Sequence, residues 1–248
     1  MLYLKRDLYV GRSLDLYGEF SEAEGRVLAG LAPEGGLAIE AGANIGAHTV
    51  ALARAVGPRG AVIAFEPQRV LYQMLCANLA LNEIRNVHAI NAGVGAERGR
   101  ARVPAIDYAA EGNFGGVTLG AERGEIVPVE TLDASPLRRL DLLKVDVEGM
   151  ELEVLTGAAK TIAQHKPTLY VEADRADRAQ ALIDKLLSFD YRLFLHLPAL
   201  FDPGNYFANP ENVFVDVASA NLLCVPCGRD CPVPGLREIA GHADVDWL

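Results

Sequence analysis

Four ionisable residues in two short apolar runs raise the chemical question. In LDLLKVDVEG, Lys144, Asp146 and Glu148 recur at every second position, and Glu172 ends the apolar part of PTLYVEAD. Side chains two apart on a strand share a face, so the first three are expected to point the same way. Charges on one side of an apolar strand do not sit in hydrocarbon. They gather at the strand's carboxyl end, where open α/β sheets receive ligands. Asp146, Glu148 and Glu172 are therefore expected to face one pocket. Such a group suits a cationic ligand, and one of its members can act as general base toward a hydroxyl, a role contributing about 10²- to 10⁴-fold. Two plainer readings stand beside this one. Lys144 can pair with an acid and merely fix the strand end, or the carboxylates can hold Mg²⁺ against a diol. No fixed ligand spacing favours the ion, and no metal site is assigned.

A second set lies in AIEAGANIGAHTV, residues 38–50, where an apolar strand runs into Glu40, Gly42, Asn44 and Gly46 and then a helix. The glycines admit close backbone approach, and the helix N-terminus offers oriented donors. A dinucleotide loop needs G-x-G-x-x-G, but Asn44 stands where the middle glycine would be, so a diphosphate suits this loop less than an amino acid group does. Glu66, ending AVIAFEP, occupies the place where an acid accepts hydrogen bonds from the two ribose hydroxyls. The alternatives are a tight turn without a ligand and a solvated strand-end acid.

These residues need a scaffold, and the periodicity supplies one. From residue 37, β-rich apolar runs alternate with helical periods: LAIEAG, a helix over 45–56, AVIAFEP, a helix over 68–82, then VHAINAGVG. This βαβαβ opening predicts a doubly wound parallel sheet. LDLLKV, PTLYVEAD, YRLFLHL and NLLCVPC bring the strand candidates to seven, with a helix over 176–189. Ser21 followed by Glu24 predicts a capping box ahead of a short helix over 21–31, placed to cover a ligand. Residues 95–133, rich in Gly and Ala, predict a pocket-shaping loop or hairpin.

Composition narrows the partners. The chain has 248 residues, half of them apolar, and a formal net charge of −10. That size predicts one domain, 1–248, with a cap at 1–35, the insertion at 95–133 and a tail at 227–248. The acidic balance argues against nucleic acid, and no apolar run approaches the roughly 18 residues of a membrane span. A cytoplasmic protein with a small neutral or cationic ligand is expected, its oligomeric state unassigned. Four scattered cysteines imply no disulfide framework.

IEAGANIGAHTVALA, AFEPQRVLYQMLCANLALN, LDLLKVDVEGMELEVLTGA and LYVEAD together resemble, in order and spacing, the FkbM family of S-adenosylmethionine-dependent methyltransferases. The resemblance covers roughly residues 36–226. It implies a class I methyltransferase fold, Rossmann-like, with a seven-stranded mostly parallel sheet and helices on both faces. It implies that Glu40, Gly42, Asn44 and Gly46 hold the methionyl part of S-adenosyl-L-methionine, that Glu66 holds the ribose, and that Asn91 and Ala92 border the adenine. Asp146 is expected nearest the methionyl end, with Glu148 or Glu172 orienting or deprotonating the acceptor. Methylation of a hydroxyl on a small metabolite, sugar or polyketide-like acceptor follows from the resemblance alone. An NAD-dependent oxidoreductase and a non-catalytic nucleoside-binding module are the alternatives.

Other residues carry less. His48, early in the loop helix, reads as structural, whereas His196 is followed by Asp202, Asn205, Tyr206 and Asn209 in a loop. Asn113 and Phe114 in GNFGG either face an acceptor or belong to a turn. Cys224, Cys227 and Cys231 with His242 lack a knuckle's context, because Cys224 falls inside a predicted strand.

Overall fold

The structure is a computed structural model that describes residues 1–244. Helices α1 (Val10–Tyr17) and α2 (Glu22–Leu31) precede the first strand. The expected βαβαβ unit follows as β1 (Leu37–Ala41), α3 (Ala47–Val56), β2 (Ala61–Phe65), α4 (Arg69–Leu81) and β3 (Val87–Ile90). β4 (Gly93–Val94), β5 (Gly99–Val103) and β6 (Glu125–Glu130) form a separate three-stranded sheet, so the insertion is a β5–β6 hairpin anchored by β4. The chain then runs through β7 (Leu142–Val145), α5 (Glu151–Gly157), α6 (Ala159–His165), β8 (Thr168–Glu172), α7 (Ala176–Leu187), β9 (Tyr191–His196), β10 (Asn221–Pro226) and β11 (Arg237–Ile239).

The main sheet has the order β11-β9-β10-β8-β7-β1-β2-β3. Neighbours from β8 to β3 are parallel, and β10 enters antiparallel between β8 and β9. All seven expected strands are present. An eighth, β11, comes from the segment expected to be only a tail and pairs with β9 through Arg237↔Leu195 and Ile239↔Leu193. The last four residues of that tail, 245–248, lie outside the described residues.

Strand alternation sorts the core into two layers. Leu28 of α2 and Leu52 of α3 pack with Val62, Leu142, Tyr170 and Leu223 on one face. Val154 of α5, Ile162 of α6 and Ile183 of α7 pack with Ile39, Val145 and Val171 on the other. Helices therefore cover both faces, as expected for a doubly wound sheet.

Local chemistry shifts three boundaries. Asn44 (φ 51°) and Gly46 (φ 88°) are left-handed, so α3 starts at Ala47 and not at Ile45. Ser21 does not form the expected capping box: it is left-handed at φ 43°, and its hydroxyl bonds the Glu24 carboxylate at 3.1 Å instead of accepting a backbone N–H. β7 ends at Val145, and Glu148 adopts φ 56°. The strict alternation expected through Glu148 thus stops after the strand, and a turn carries Glu148 forward.

Candidate active site

A cavity of ≈ 370 Å³ opens over the carboxyl ends of β2, β1, β7 and β8 and the start of β10. Five neighbouring strands at the usual spacing of about 4.8 Å make it a trough roughly 19 Å long. α1, the turn after it and α2 wall one side through Val10, Phe20 and Glu24, and the insertion contributes Asn113, Gly115 and Val117.

At the β1–β2 end, the glycine loop folds against its neighbours for steric reasons. A side chain at Gly42 (φ 89°) would lie 1.7 Å from the carbonyl oxygen of Asp146, so the backbones of two loops cross there. A Cβ at Gly46 would meet Leu75 of α4 at 2.7 Å, and Gly46 does not line the cavity. Gly46 therefore lets α3 pack closely on α4. Glu66 is buried, and its two carboxylate oxygens accept the backbone N–H groups of Asn44 and Gln68, each at 2.8 Å. Burial pushes its carboxyl up to about 7, against the pull of those two donors. Asn91 and Ala92, expected beside an adenine, do not line the cavity. Asn91 donates to the carbonyls of Glu66 and Pro67 at 2.8 and 3.0 Å, and so braces the turn that carries Glu66.

In the centre, Glu40 and Lys144 are directly opposite across β1 and β7. Both are buried, 1% and 2% exposed, with Nζ 3.8 Å from Glu40 Oε1 and 2.8 Å from Asp146 Oδ2. Burial opposes charge on Lys144, yet Asp146 and Glu40 outweigh it and hold the ammonium well above its usual range. The same balance works in reverse on Asp146, where burial is overcome by Lys144 and the carboxyl sits below its usual range. Glu40 also accepts the Thr49 hydroxyl at 2.6 Å, and burial pushes its carboxyl up. The ion pair read as a plain alternative is thus present, inside the candidate site.

At the β8 end, one oxygen each of Asp146, Glu148 and Glu172 lie within 4.8 Å of one another. The three expected carboxylates do converge. Among the described residues they form the one group of this kind able to approach an ion, while Cys224 is buried in β10. Glu148 is held by its turn: Glu151 accepts the N–H groups of Val147 and Gly149, and Thr118 donates to the Glu148 carbonyl at 2.7 Å. Burial and then the Asp146 charge push the Glu148 carboxyl up to about 7, and Glu172 goes well above the usual range for the same two reasons.

Three further cavity residues were not assigned from sequence: Glu24, Asp174 and Asn221. Asn221 stands directly opposite Glu172 across β8 and β10, a register that the apolar run NLLCVP does not reveal. His48, read as structural, lines the cavity with Nδ1 3.7 Å from Glu24 Oε1. His196 turns away: its Nδ1 bonds Tyr170 at 2.7 Å, and it is not part of the lining. Asn113 lines the cavity, but Phe114 anchors its loop by offering its carbonyl to Gln68 at 2.7 Å.

The family model for the methyltransferase FkbM domain matches residues 40–193, the span that carries Glu40, Glu66, Lys144, Asp146, Glu148 and Glu172. The chain belongs to the FkbM family. It is 31% identical over 159 residues to "Methyltransferase sdnD" of Sordaria araneosa, covering 50% of this chain and 61% of that one. It is 30% identical over 148 residues to "Methyltransferase 1" of Beauveria bassiana, covering 50% and 59%. The chain thus spans less than two thirds of the length of either relative. In three dimensions the chain is similar to methyltransferase FkbM from Methylobacillus flagellatus KT, with a TM-score of 0.53 and 21% identity over 76% of this chain and 43% of that one. Precorrin-6y C5,15-methyltransferase from Geobacter metallireducens GS-15 gives 0.51 and 14%, over 82% and 87%. At these identities the likeness shows the class I methyltransferase fold. No helix among the described residues is long and apolar enough to cross a membrane.

Proposed function

We propose that the protein is an S-adenosylmethionine-dependent methyltransferase that methylates a hydroxyl oxygen of a small-molecule acceptor. The observation that carries this reading is Glu66: a buried carboxylate, fixed through one oxygen by the Asn44 N–H of the glycine loop and through the other by the Gln68 N–H of its own turn, in one cavity with three clustered acids. Each Glu66 oxygen retains a lone pair, which fits the paired hydroxyls of a ribose. The acid-rich cavity fits a sulfonium. The same geometry disfavours a dinucleotide, because Asn44 stands at the middle-glycine position and its N–H is already engaged by Glu66.

When bound, the cofactor supplies an electrophilic methyl group that passes to the acceptor oxygen as its bond to sulfur breaks. The chain's own residues orient and deprotonate. Lys144 keeps Asp146 ionised beside the cationic centre. Glu148, poised at about 7, and Glu172 face the acceptor, and either can take the hydroxyl proton as the oxygen attacks. Most of the remaining acceleration is positioning.

Calorimetry with S-adenosylmethionine and S-adenosylhomocysteine, and NAD as control, tests the proposal. Micromolar binding of the first two, about −8 kcal/mol, without NAD binding is expected. Binding of NAD alone overturns it.

A further inference from the structure

Among the described residues, two buried nitrogens on the trough have no partner: His48 Nε2 and Asn221 Nδ2. The residues are 7% and 3% exposed, and both line the cavity. Buried polar atoms in folded proteins are nearly all hydrogen-bonded, so two orphans on one cavity wall mark the positions of ligand atoms. Their location separates them from the ribose end. Asn221 lies opposite Glu172, with cross-strand Cβ atoms about 5 Å apart, and His48 reaches in from α3 beneath α2.

Their hydrogen-bonding character selects the ligand. The Ser21 hydroxyl holds Glu24 Oε2 at 3.1 Å, and Glu24 Oε1 lies 3.7 Å from His48 Nδ1. At 3.7 Å that contact is longer than a hydrogen bond, so Nε2 can donate or accept according to the ring's protonation. Asn221 Nδ2 is a donor. An ammonium donates only and leaves Asn221 unanswered. A carboxylate or phosphate would sit among Glu24, Glu148, Glu172 and Asp174. The cavity's lysine, Lys144, is already paired with Asp146 and Glu40. Hydroxyls both donate and accept.

We propose that His48 and Asn221 form the acceptor subsite and that it takes a neutral polyhydroxylated compound, one hydroxyl bonding His48 Nε2 and another accepting from Asn221 Nδ2. The subsite delivers a hydroxyl beside Glu172. This deepens, and rests on, the methyltransferase reading.

NMR of the full chain tests it, observing the His48 ring Cε1–Hε1 and the Asn221 side-chain amide with S-adenosylhomocysteine present. Methyl α-glucoside, glucuronate and glucosamine serve as neutral, anionic and cationic probes at millimolar concentration. Saturable shifts of both signals with methyl α-glucoside, at least severalfold larger than with the charged probes, are expected. Asn221→Leu should abolish that response while holding or raising Tm and leaving S-adenosylhomocysteine affinity unchanged, since it removes an unpartnered amide. A lowered Tm in this variant would assign Asn221 a structural role and overturn the proposal. So would silence of both signals toward methyl α-glucoside, or a larger response to glucuronate or glucosamine. If S-adenosylhomocysteine does not bind, the cofactor reading fails separately, and the same titration without it still reads the subsite.

Discussion

The two faces of the main sheet are built from the same strands and end differently. On the face under α5, α6 and α7, the strands stay apolar to their carboxyl ends, at Ala41, Phe65, Val145 and Val171. On the face under α2 and α3, each strand begins apolar and then turns polar: Val62 and Ala64 lead to Glu66, Ala38 to Glu40, Leu142 to Lys144, and Tyr170 to Glu172. One residue of offset along a strand thus separates a hydrocarbon layer from a charged one. The apolar face contributes stability through burial, and the polar face holds chemistry at groups whose charges must be mutually satisfied.

The sharpest way to break this contrast is Glu172→Ala. It should lower turnover by about 10²- to 10⁴-fold while sparing S-adenosylhomocysteine affinity, as single-turnover kinetics and calorimetry would show; unchanged turnover would remove Glu172 from the chemistry. Next come adjacent residues on opposite faces. Lys144→Met leaves Glu40 and Asp146 without their cation and should cost about 3–5 kcal/mol in urea unfolding at pH 8. At pH 5 the loss should shrink, because Glu40, already raised by burial, can take up a proton and shed its unpaired charge. Leu143→Ala, on the apolar face, should cost about 2–5 kcal/mol by leaving a cavity, with the same gap at both pH values. A pH-dependent loss at Leu143, or a pH-independent one at Lys144, would dissolve the distinction.

The smallest effect concerns the ribose end. Glu66→Ala should weaken S-adenosylhomocysteine binding about 10- to 100-fold, roughly 1–3 kcal/mol, and equal affinities would sink the ribose assignment. Sign follows from protonation. Glu66 holds its proton until about pH 7 and must lose it to accept two hydroxyls. Wild-type affinity should therefore fall by up to tenfold per unit below pH 7 and level off above it. Glu66→Ala should flatten that slope.

Much of this was legible in the chain. The seven strands, Glu66 after β2 and the placing of Asp146 and Glu172 at neighbouring strand ends follow from local patterns, because period-2 alternation and strand-end position are written in adjacent residues. What was not legible depends on packing between distant segments. Asn221 belongs to the site through antiparallel pairing with β8, 49 positions away in numbering from Glu172. His48 becomes a cavity residue because α2 lies over α3 and brings Glu24 beside it. Glu148 reaches the cluster by a left-handed turn, outside any strand period. The brace that Asn91 gives the Glu66 turn, through the carbonyls of Glu66 and Pro67, likewise joins residues 25 and 24 positions apart. β11 arises from a segment with no strong strand signature, using the open edge of β9.

The crossing at Gly42 bears on how descendants of such a chain would decay. Any side chain there collides with the Asp146 carbonyl whether or not a ligand is bound, so folding alone is enough to preserve the glycine. Nothing comparable protects Glu172, whose charge burial opposes. A copy released from catalytic duty would keep its glycine signature long after its acids had drifted, and screening genomes for living members of this lineage by their glycines would count the fossils too.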